Sequence, residues 1–109
     1  MKKEFPLTIV LTLLTSKSFG DKFDDIHEAI EFVIGHPVWT HEIADLLLWD
    51  QLRDNIVEQY PEFSIIDSSL INKENVFLYK EQYCTQFGHS RILTKGTEIR
   101  HINIEKNNG

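Results

Sequence analysis

The chain has 109 residues, 41% of them apolar, with seven Phe, three Tyr and two Trp; this excludes a disordered tract and allows one modest core. Cys84 is the one cysteine, which excludes an internal disulfide and a four-cysteine zinc site and points to a reduced, intracellular setting. The net charge of −6 is uneven: residues 21–62 hold eleven acids against Lys22 and Arg53, a local −9, and the flanking segments are slightly positive. Such a negative segment repels phosphate backbones, so direct DNA or RNA binding is not expected, whereas a partner with a basic surface is.

The opening Met1-Lys2-Lys3 and the run Leu7–Leu14 resemble a signal peptide only superficially, since the run is short and Thr8 and Thr12 interrupt it. No stretch reaches the ~20 apolar residues of a membrane span. Residues 6–16 fit two patterns. As a strand, Leu7, Ile9, Leu11 and Leu13 share a face. As a helix, Thr8, Thr12 and Thr15 form a polar stripe opposite Leu7, Val10, Leu11 and Leu14, and Pro6 suits the first helical position. Helix is the preferred reading.

After a loop around Gly20, Asp25 and Glu28 resemble a capping box. Ile26, Ala29, Ile30, Val33 and Ile34 then repeat at helical spacing, and Gly35 and Pro37 stop the helix. Thr40 is expected to cap a third helix, with Trp39 lying over its first turn as a staple. Its expected buried stripe is Ile43, Leu46, Leu47, Leu52, Ile56 and Tyr60, with Asp45, Asp50, Asp54 and Glu58 elsewhere and Pro61 ending it. A linker over 61–71 precedes a helix capped by Asn72, stapled by Ile71 and Val76, marked by Val76, Phe77, Tyr83, Cys84 and Phe87, and closed by Gly88. Ser90–Lys95 and Thr97–Glu105 read as a C-terminal β-hairpin around Lys95-Gly96, and 106–109 as a frayed tail. The fold class is therefore α+β: one small, mainly helical domain of three to four helices with a C-terminal hairpin.

His41-Glu42-Ile43-Ala44-Asp45 is the string with most chemical content. On an α-helix, His41 and Asp45 would share a face and could hold a metal beside Glu42 as a base, as in a small metal-dependent hydrolase. The plainer alternative is a first helical turn in which Glu42 favours the positive end of the dipole and His41 bonds a loop carbonyl. Cys84 falls on an apolar stripe and reads as structural, and Asp24-Asp25 sit where a helix start favours negative charge. No glycine-rich phosphate loop and no nucleophile elbow is found, so no cofactor is expected.

Gly35-His36-Pro37-Val38-Trp39-Thr40-His41-Glu42-Ile43-Ala44, preceded by Phe23-Asp24-Asp25-Ile26-His27 and by the Thr15-Ser16 turn, resembles a family of small phage and prophage proteins. That family has a Gly-x-Pro-Val-(Phe or Trp)-Thr-His-Glu-apolar-Ala core. The likeness covers about residues 7–60, and beyond it little more than the Phe87-Gly88 helix end; Ser16 stands where the family carries Gly, and Asp45 lies outside the shared pattern. The resemblance implies a protein of phage or mobile-element origin acting in the cytoplasm of a bacterial host by stoichiometric binding.

Charge and resemblance together lead to one expectation. The chain is a small acidic inhibitor, anti-CRISPR-like, occupying the basic surface of a nucleic-acid-dependent host defence complex through Trp39, His41, Asp45, Asp50, Asp54 and Glu58. The hydrolase built on His41, Glu42 and Asp45 and a self-associating virion component are the alternatives.

Overall fold

A helix apolar on nearly every side has to be surrounded, and Leu7–Thr15 is such a helix. The computed structural model describes residues 1–96. It orders them as strand β1 (Lys2–Pro6), helix α1 (Leu7–Thr15), helix α2 (Phe23–Ile34), a 3₁₀ turn at Thr40–Ala44, helix α3 (Leu46–Gln59), 3₁₀ turns at Pro61–Ile65 and Ser68–Leu70, helix α4 (Val76–Phe87) and strand β2 (Ser90–Thr94). The class is α+β with four helices, as the sequence indicates.

All of α1 except Thr8 is buried, with α2, α3 and both strands packed around it. The stripe of threonines is therefore not a solvent face. Thr12 and Thr15 donate their hydroxyls to the Thr8 and Leu11 carbonyls, at 2.8 and 2.7 Å, which satisfies two buried polar groups without water. The same oxygens accept from the Phe19 and Lys17 amides and so bind the following loop. Pro6 lies one residue before the first helical position. At the other end Ser16 closes α1 at φ 59°, the one non-glycine residue with positive φ among those described.

The strands are antiparallel, Lys2 opposite Thr94 and Pro6 opposite Ser90. Only Phe5 and Leu93 of the two are buried. Ser90–Thr94 is thus a strand as expected, and its partner here is the N-terminal segment; residues 97–105, read as the second arm of a hairpin, and the tail 106–109 lie outside the described residues. The far edge of β2 is taken up by α3: the Gln59 carboxamide accepts from the Thr94 amide at 2.7 Å and the Tyr60 hydroxyl donates to the Ile92 carbonyl at 2.7 Å. Arg53, midway along α3, donates to the Leu14 and Ser64 carbonyls and so covers the C-terminal end of α1.

Helix boundaries differ from the sequence reading in informative places. Helix α2 starts at Phe23 with Lys22 in the cap position, so Asp25 lies within the first turn and does not cap it, and Glu28 pairs with Lys3 at 2.9 Å. Asn72, expected to cap the last helix, lies in the turn before it: its carboxamide oxygen accepts from the Glu74 and Asn75 amides, Asn75 takes the cap position of α4 without a side-chain bond, and Ile71 and Val76 of the expected staple are buried. Phe77, expected in the stripe of that helix, is 61% exposed, because the buried face follows Val76, Tyr83 and Phe87. Asp67 caps the short Ser68–Leu70 turn, and hydrogen bonds from the Ser69 hydroxyl and amide, with Arg53 nearby, hold its carboxyl below the usual carboxylate range.

Two backbone positions test this architecture. A Cβ on Gly35, whose φ is 95°, would overlap the Gly96 carbonyl, where the chain after β2 crosses the end of α2 and Gly96 donates to the Phe32 carbonyl. Gly35→Ala should cost about 3 kcal/mol in urea unfolding, because both the left-handed φ and the crossing resist it; a loss below ~1 kcal/mol would contradict the crossing. Ser16→Gly should raise stability by roughly 1 kcal/mol by relieving the left-handed cap.

Candidate functional site

The site is assembled from the join between α2 and α3. His27 and Glu31, one turn apart on α2, hold both main-chain polar groups of one residue. His27 Nε2 donates to the Val38 carbonyl at 2.6 Å, and Glu31 Oε2 accepts from the Val38 amide at 2.8 Å. Val38 itself is buried. The 3₁₀ turn that follows is held by Glu42, whose carboxylate accepts from the Trp39 amide at 2.8 Å, and by Trp49 of α3, whose indole N–H donates to the Ile43 carbonyl at 2.7 Å.

This arrangement corrects the expected start of the third helix. Thr40 opens the 3₁₀ turn, and α3 begins at Leu46 because Asp45, in extended conformation, accepts from the Leu47 amide through Oδ1 at 2.9 Å. A carboxylate outranks a threonine hydroxyl as an N-cap, so Asp45 decides the boundary. Two consequences follow for the residues singled out earlier. His41 and Asp45 are not one α-turn apart on a helical face, and both Asp45 and Glu42 are bonded to backbone amides. Among the described residues no three His, Cys, Asp or Glu side chains are grouped as a metal site would need. Trp39 is no staple: it is 72% exposed.

Along α3 the buried positions are Leu52 and Ile56, with Leu48 half-buried one turn before them. That phase turns Leu46 and Leu47 outward, at 79% and 67% exposure, contrary to their expected place in the core. Asp50, Asp54 and Glu58 are exposed at successive four-residue steps, which puts them in one row. The outer face of α3 therefore reads, from its N-terminus, as an exposed Leu pair followed by three carboxylates. The ion pairs among the described residues are Lys3–Glu28, His27–Glu31 and Arg91–Glu62; none involves Asp45, Asp50, Asp54 or Glu58. Arg53, the one base on α3, is directed to main-chain carbonyls.

Of the six residues the sequence nominates, Asp50, Asp54 and Glu58 form a row. Asp45 caps its helix, and exposed Trp39 and His41 belong to the turn before it. Leu46 and Leu47 were missed, although the spacing contained the signal: four residues before Leu52 lies Leu48, which leaves the two leucines ahead of it off the buried stripe.

Asp45 allows its charge to be separated from its capping role. Asp45→Asn should leave thermal unfolding nearly unchanged, because Asn caps as well as Asp, whereas Asp45→Ala should cost about 1 kcal/mol; equal loss in both would contradict the cap.

No helix among the described residues is long and apolar enough to cross a membrane. No curated protein and no solved structure matches the chain. A family model, described as a domain of unknown function (DUF7736), matches residues 5–66, a stretch that contains α1, α2, the clamped turn and the whole of α3 and leaves out α4 and β2. The protein belongs to the DUF7736 family.

Proposed function

We propose that the protein is a stoichiometric binder that inhibits a host protein by covering its basic surface with the acidic face of α3. The carrying observation is the row Asp50, Asp54 and Glu58, exposed on a helix tied at both ends and without an ion pair among the described residues. Three carboxylates about 6 Å apart along one helix present a dense negative strip, and a strip of this kind competes for a groove that otherwise holds a phosphate backbone. Together with the likeness of Gly35–Ala44 to phage and prophage proteins, this supports an anti-CRISPR-like role against a nucleic-acid-dependent defence complex in the bacterial cytoplasm.

The test is capture from a bacterial lysate, with identification of the bound protein and an assay of its nucleic-acid binding. The wild-type chain should retain a nucleic-acid-binding protein and block its ligand. Asp50→Lys, Asp54→Lys and Glu58→Lys together should weaken that binding about 100-fold or more with the fold intact by circular dichroism. Undiminished capture by the folded triple variant would overturn the proposal.

A further inference from the structure

The acidic row does not stand alone on its helix face. Leu46 and Leu47 precede Asp50 by four and three residues, so the apolar pair and the row share one continuous surface about 20 Å long. Both leucines are more than two-thirds exposed, at 79% and 67%. A leucine pair at the first turn of a helix and outside the core adds little to packing, and its place at one end of a charged row makes the row directional.

We infer that this face docks a cationic amphipathic helix of the partner, with apolar side chains covering Leu46 and Leu47 and Lys or Arg on the next turns meeting Asp50, Asp54 and Glu58. The inference rests on the reading of α3 as a binding surface and names its occupant. Three features select it. The determinants recur at steps of three and four residues, the repeat that a facing α-helix offers on its own surface. The charge selects a basic segment and disfavours an anionic lipid surface. A second copy of this chain docking by the same face would set one row of carboxylates against another, and close like charges repel.

Two synthetic probes separate the contributions. One is a helical peptide of about 18 residues with two Leu one turn apart followed by Arg at helical spacing; the other has the same charge on arginines without the leucines. Labelled peptides are titrated against the full chain at about 0.15 M salt and followed by anisotropy. The amphipathic peptide should bind about tenfold tighter than the arginine peptide. Leu46→Ser with Leu47→Ser, exposed positions whose replacement should leave the circular dichroism spectrum intact, should bring the two affinities together. Equal affinities for wild type, or an unchanged advantage in the serine variant, would overturn the inference while leaving capture through the acidic row standing. Failure of both peptides to bind would also overturn it. Concentration-dependent dimerisation of the wild type, lost in the serine variant, would overturn it in favour of a second copy as occupant.

Discussion

A nine-residue helix buried on almost all sides is the constraint from which the molecule follows. Such a helix has to be surrounded, and helices α2 and α3 and the two-stranded sheet do so with one face each. The cost of burying such an element lies in its polar groups, because an unpaired hydroxyl or carbonyl away from water costs about 1–3 kcal/mol. Here Thr12 and Thr15 bond to the turn before them, and Arg53 reaches the Leu14 carbonyl from α3. The enclosure is therefore polar as well as apolar, and one of the few bases in the acidic half of the chain is used for it.

That use of Arg53 shapes the electrostatics of the outer surface. A guanidinium aimed at the main chain of α1 and of the turn after α3 forms no ion pair with Asp50, Asp54 or Glu58. The same helix is fixed along its length: Trp49 ties it to the preceding turn, and Gln59 and the Tyr60 beyond its end tie it to β2. A rigid helix loses little conformational freedom on binding, which favours recognition through its exposed face. The family segment, residues 5–66, encloses α1 and this face together, so scaffold and candidate surface coincide, whereas α4 and β2 complete the core from outside it.

Much of this was legible in the residues. The helical periodicity of Ile26–Ile34, the stop at Gly35 and the strand at Ser90–Thr94 all arise from local chemistry, and each is present. The row Asp50, Asp54 and Glu58 was equally visible, since four-residue spacing needs only the helix to be right. Three features were not, for physical reasons. Lys2–Pro6 is a strand with four of five residues exposed, and its pairing is supplied by a segment nearly ninety positions away, so composition alone gives no sign of it. The start of α3 depended on a contest between Thr40 and Asp45 as caps, which the stronger acceptor won. Leu46 and Leu47 looked like core because they are leucines; only the phase set by Leu52 and Ile56 shows that they face solvent. That error hid the apolar end of the candidate surface.

The most direct test of the account is backbone NMR of the labelled protein as the captured partner, or its basic segment, is added. Shift changes confined to Trp39 through Glu58, centred on the exposed face of α3 and diminishing as salt is raised, are the predicted result. Changes centred instead on α4, or a response that salt leaves unaltered, would contradict it.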